Sequence, residues 1–136
     1  MRGKVIMNII AIVGIPVAAN AVAPFATIAF EKRVEGTDKT TPITSASLND
    51  HVCVRLRDVS TPDGDHSLRL VIYDGGAREV YQSVSTVTAK EEKWARTICY
   101  GFNRLRDMPG TWWYVAELDD EPLVSKELVV SAPGVS

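Results

Sequence analysis

Strict alternation of apolar and polar residues between two turn signals leaves a chain few folds, and the stretch MPGTWWYVAELDDEPLVSKELVV at residues 108–130 shows it most clearly. Pro109-Gly110 opens a turn. Trp112, Tyr114, Ala116 and Leu118 then alternate with Trp113, Val115 and Glu117, the period of a strand with one buried face. The acidic turn Asp119-Asp120-Glu121 reverses the chain into a second β-rich run ending at Val130. Two such runs joined by a tight turn predict an antiparallel hairpin.

The preceding segments repeat this rhythm. Phe25 to Val34 places Ile28, Phe30 and Val34 on one side, with Lys32 interrupting, as suits an edge strand. Gly36 to Ser47 is Thr-rich and broken by Pro42, which predicts a loop or a poorly paired edge segment. Leu48 to Arg57 alternates, with Val52, Val54 and Leu56 on one face and His51, Cys53, Arg55 and Arg57 on the other. Turn residues at Ser60 to Asp65 lead to Ser67–Tyr73, with Leu68, Leu70 and Ile72 inward and Arg69, Val71 and Tyr73 outward. Gly75 and Gly76 would supply positive φ for the next turn. Ala77 to Val87, with Val80 and Val84 in phase, reads as a weak edge strand, and Trp94 to Phe102 aligns Trp94, Ile98, Tyr100 and Phe102. About seven strands without a helical period predict an all-β sandwich, with a small barrel as the alternative.

Residues 1–21 have a positive start at Arg2 and Lys4, an apolar run from Val5 to Val17, and the small-x-small ending Ala19-Asn20-Ala21. These are the parts of a secretory signal peptide cut after Ala21, leaving a single domain over 22–136. An uncleaved anchor is the competing reading, against which Asn8, Pro16, Asn20 and Pro24 interrupt the run. The expected location is periplasmic or secreted. Two cysteines, Cys53 and Cys99, in an exported chain predict a disulfide. A net charge of −2 without a basic block removes the electrostatic footprint of nucleic-acid binding. With signal cleavage, no membrane span is expected.

In strand rhythm over 25–131, and in Pro109-Gly110-Thr111-Trp112 before the acidic turn and Pro122-Leu123, the chain resembles small exported bacterial immunoglobulin-like sandwich domains. The resemblance implies an antiparallel sandwich without importing an activity. It departs from antibody-type domains, which carry an inter-sheet core disulfide and a Tyr two residues before its second Cys. Here that position is Thr97, and both cysteines are out of phase with the apolar residues of their strands. The family's strand order makes the second and fifth strands neighbours, which implies a cross-strand Cys53–Cys99 disulfide on an outer face. It also makes the third and sixth adjacent, so that Arg69, Val71 and Tyr73 flank Trp113 and Val115 on one exposed face. Trp, Tyr and Arg are enriched at binding hot spots. Alternatively, Arg69 stacks across Trp113 and shields it, or the inward and outward assignments are reversed at Trp112-Trp113.

Reactive chemistry finds little support. His51 and His66 lack a His-x-His pairing, and Asp63-Gly64-Asp65 lacks the ligand ladder of a calcium loop, so no metal or cofactor is expected. No Gly-x-Ser-x-Gly motif presents a nucleophile. Acid pairs Glu91-Glu92 and Asp119-Asp120 fall in turns. The expectation is therefore a non-enzymatic exported domain that binds a protein or envelope component through a sheet face. The alternatives are a structural subunit self-assembling through edge strands, for which Gly36–Ser47 would supply an unpaired segment, and a hydrolase built around a histidine.

Overall fold

The computed structural model describes residues 24–90 and 93–133; the signal segment expected over 1–21 lies outside them. Among these residues nine strands form: β1 Phe25–Arg33, β2 Thr40–Pro42, β3 Ser45–Ser47, β4 His51–Ser60, β5 Gly64–Tyr73, β6 Glu79–Ala89, β7 Trp94–Gly101, β8 Gly110–Leu118 and β9 Glu121–Ser131. They divide into a four-stranded sheet, β2-β1-β4-β7, and a five-stranded sheet, β3-β9-β8-β5-β6. Neither sheet closes on itself. The fold is an all-β, immunoglobulin-like sandwich and not a barrel.

The alternating positions meet between the sheets. Phe30, Val52, Val54 and Leu56 from one sheet pack against Leu70, Ile72, Trp112, Tyr114 and Leu128 from the other. Aromatic edges fix the fit. Phe30 and Tyr114 lie 4.9 Å apart, Phe102 and Trp112 4.7 Å apart, both edge to face. The buried indole also donates from Nε1 to the Met108 carbonyl at 2.7 Å, anchoring the start of β8. Trp112 therefore points inward and Trp113 outward, so the alternation at this pair is not reversed.

Both neighbour relations implied by the family order are present. β4 pairs with β7 and β5 with β8. Cys53 lies opposite Cys99 in the β4–β7 register, and their sulfurs are bonded. The bond sits on the outer face of the four-stranded sheet, away from the aromatic core.

Several elements depart from the sequence expectation. Gly36–Ser47, expected as a loop or a poorly paired edge segment, does hold a short edge strand, β2, antiparallel to the end of β1, but β3 crosses to the other sheet and pairs in parallel with β9. Val34 is 41% exposed because β1 ends before it. Val80 and Val84 do not share a face. A register break between Glu79 and Tyr81, opposite Ile72 and Tyr73, inserts one residue and flips the phase, leaving Val84 outward at 59% exposure. Positive φ in the β5–β6 turn falls on Ala77, not on Gly75 or Gly76.

Gly75 is required for a different reason. A Cβ there would lie 1.8 Å from the Pro109 carbonyl oxygen, and Gly110, at φ +133°, sits against it. The turn and the β8 entry thus touch backbone to backbone, with Gly75 N–H donating to the Met108 carbonyl. Buried Asp74 secures the junction by accepting from the N–H groups of Gly76, Arg78 and Met108 at 2.9–3.1 Å. Desolvation opposes its ionisation, yet these backbone donors and the Arg78 guanidinium hold its pKa below the ordinary value.

Candidate functional site

The outer face of the five-stranded sheet is set by register. Tyr73 lies opposite Trp113, Val71 opposite Val115, and Arg69 opposite Glu117. On the far side of β8, Glu127 lies opposite Trp113 and Val129 opposite Thr111, so Trp113 and Val129 are diagonal neighbours within reach of large side chains. The expected set is brought together, but its members differ in availability. Trp113 is 44% exposed and Val129 57% exposed. Tyr73 and Val115 are half-buried, and Val71 is buried on the outer face beneath its neighbours. Val71 therefore supports the surface and does not present itself.

Arg69 does not shield Trp113. Its Nε donates to Glu117 Oε1 at 2.8 Å, and Nη2 also contacts that oxygen. The register makes this the natural pairing, because Glu117 stands directly opposite while Trp113 lies further along β8. The result is an apolar strip of Tyr73, Val115, Trp113 and Val129, bordered by the Arg69–Glu117 ion pair and by Glu127. Sequence phase located the β5 and β8 members. Val129 was missed, although its outward position follows from Leu128 and Val130 being core residues.

Two clefts have linings rich in charged side chains. A cleft of about 750 Å³ is lined by Lys32, Arg33, Glu35, Asp50 and His51 among others, and a neighbouring one of about 410 Å³ adds Arg104. The larger holds both charge signs, with Lys32 Nζ 3.9 Å from Asp50 Oδ1.

Neither histidine gathers a reactive constellation among the described residues. A ring nitrogen of His51 and the sulfurs of Cys53 and Cys99 lie within 4.8 Å of one another, but the sulfurs are bonded together and offer no thiolate for a metal. His66 Nδ1 contacts Asp119 Oδ2, and Nε2 contacts the Pro62 carbonyl, each at 2.6 Å. With both nitrogens engaged by acceptors, the ring favours its protonated form. The Asp119 hydrogen bond and that to Pro62 raise the His66 pKa above its ordinary value, while His66 and the Ser67 N–H lower that of Asp119. This is a clamp on the β8–β9 turn and not a base facing a nucleophile.

Comparison with known proteins reaches the fold. No protein-family model matches the sequence, and no curated protein gives a significant match. Among solved structures, an immunoglobulin-like protein from Pseudomonas aeruginosa superimposes with a TM-score of 0.53 at 14% identity, over 82% of this chain and 98% of that one. The C-terminal domain of Wzt gives a TM-score of 0.43 at 8% identity, over 79% of this chain and 72% of that one. At these identities the first likeness speaks for the fold alone, and the second carries no functional weight. The chain has the immunoglobulin-like fold.

Proposed function

We propose that this chain is an exported, non-enzymatic binding domain that recognises another protein or an envelope component through the outer face of its five-stranded sheet. The observation that carries the proposal is the apolar strip centred on Trp113, on an ordered sheet and not on a loop. A half-exposed indole flanked by Tyr73, Val115 and Val129 offers large area on a rigid support, the arrangement that concentrates binding energy. Export is supported by the disulfide and by the signal-like first residues. Binding needs no cofactor: complementarity of the apolar strip and its charged border would provide it.

The test is affinity capture with oxidised protein spanning residues 22–136, from envelope and medium fractions, followed by protein identification. Trp113→Ala, whose side chain lies outside the core, should leave the melting transition near that of the parent and reduce capture by tenfold or more, as expected for a hot-spot residue worth about 2 kcal/mol. Unchanged capture by the folded variant would reject this face.

A further inference from the structure

A sandwich exposes unpaired backbone N–H and C=O groups along its sheet edges, and each edge invites another strand unless something blocks it. Among the described residues, three of the four edges are blocked. Beside β1, the strand β2 is three residues long and ends in Pro42. The carbonyls of Ile28 and Phe30 are taken by Lys126 Nζ at 3.3 Å and by the Ile43 N–H at 3.0 Å. On β7, Arg96 shares the inward face with Trp94 and Ile98 and donates to Ser85 Oγ at 3.1 Å, placing a charge where an added strand would bury it. On β9, β3 covers Val129–Ser131. The remainder of β9 carries Pro122, a register break before Val124, and the inward-reaching Lys126.

Among the described residues, β6 carries no such device within its own strand from Val80 onward; the only charge reaching its inward face there is Arg96, from the facing sheet, at Ser85. From Val80 to Ala89 it reads VYQSVSTVTA, with no charge and no proline, and its one register break lies at the start of the strand. We propose that this edge is a dimerisation strand, pairing antiparallel with β6 of a second copy. A twofold axis at Val84 pairs the regular part of the strand, Tyr81 to Val87, with itself. Gln82 then faces Thr86 of the second copy, Ser83 faces Ser85, and Val84 faces Val84. No like charges oppose each other within the strand, and β-branched and polar pairs are the combinations that sheets favour. The stretch from Tyr81 to Val87, beyond the bulge, pairs over about 24 Å. Because Tyr81 to Val87 holds no charge, a second copy meets no repulsion in this register, and one exposed Val84 covers the other. The two five-stranded sheets become one. Trp113 lies two strands away, so this dimer stands or falls independently of the partner-binding face.

The experiment is the solution mass of the 22–136 protein by light scattering across micromolar to millimolar concentrations, beside Val84→Lys. The parent should pass from monomer to dimer. Val84→Lys, which sets two ammonium groups against each other on the axis, should weaken the dimer by more than about tenfold while its circular dichroism and melting stay unchanged. Val84→Cys, treated with a short bifunctional thiol reagent, should cross-link into a covalent dimer, and Trp113→Cys should not. A parent that stays monomeric throughout, or a dimer that survives Val84→Lys intact, would overturn the proposal.

Discussion

Gly75 shows how one absent side chain can hold two loops together. Its Cα passes so close to the Pro109 carbonyl that any Cβ would overlap it at 1.8 Å, and both atoms belong to backbone that Asp74 pins through the Met108 N–H at 3.1 Å. Neither side can yield without breaking hydrogen bonds. Gly75→Ala should therefore lower unfolding free energy by on the order of 3 kcal/mol, read from a urea titration. Gly101→Ala is the contrast: its added Cβ meets only the His51 ring, at 3.6 Å or more. That change should be neutral or slightly stabilising, because alanine restricts the unfolded chain. Equal losses from both substitutions would show that close approach is not what Gly75 serves. In the sequence, Asp74-Gly75-Gly76 announces a turn but cannot say which glycine answers to φ and which to a neighbour distant along the chain.

Among the elements, the β8–β9 hairpin is held at its tip by a titrating pair. Asp119 and Asp120, at φ 51° and 67°, make the two-residue turn whose left-handed backbone matches strand twist. Asp119 Oδ1 accepts from the Ser67 N–H at 2.9 Å while Oδ2 contacts His66, binding the tip to β5. His66, with its folded pKa raised above 6.5, contributes stability that is complete below 6.5 and is lost as pH rises through the raised value. Asp119, depressed below 3.8, contributes stability present above 3.8 and lost as pH falls through the lowered value. The clamp is thus strongest between these ordinary values, and it weakens on the alkaline side first under neutral conditions. Denaturation midpoints at pH 5.5 and 8.5 should differ more for the parent than for His66→Gln. An identical difference in both proteins would remove His66 as the cause.

The hairpin was legible from alternation and turn chemistry, and so was its exposed Trp113, because strand period alone assigns faces once one core residue is known. The phase of β6 was not. Its bulge at Val80 depends on the partner strand, and a Ser/Thr-rich edge gives too weak an apolar pattern to reveal a one-residue slip. β3 was hidden for a similar reason, since three residues with one buried alanine form a strand only because β9 offers an edge to pair with.

At the scale of the whole molecule, the covalent link and the candidate binding face lie on opposite outer surfaces. Cys53–Cys99 ties β4 to β7 on the four-stranded sheet, while Trp113 and its neighbours stand on the other sheet. The core between them is built without the sulfurs: Phe30, Trp112 and Tyr114 are buried in it, and neither cysteine belongs to that cluster. The bond then acts chiefly on the unfolded chain, where it closes a loop with a sequence separation of 46. That restriction is worth about 4 kcal/mol. Replacing both residues, Cys53→Ala with Cys99→Ala, should lower unfolding free energy by roughly that amount and raise the urea m-value, because the open chain exposes more surface. Below the variant's melting transition the Trp113 face should still capture its partner with parental affinity. A loss of capture by the folded variant would mean that the two sheets are mechanically coupled through the core. A stability loss under about 1 kcal/mol would instead mean that paired β4 and β7 already hold the unfolded chain compact.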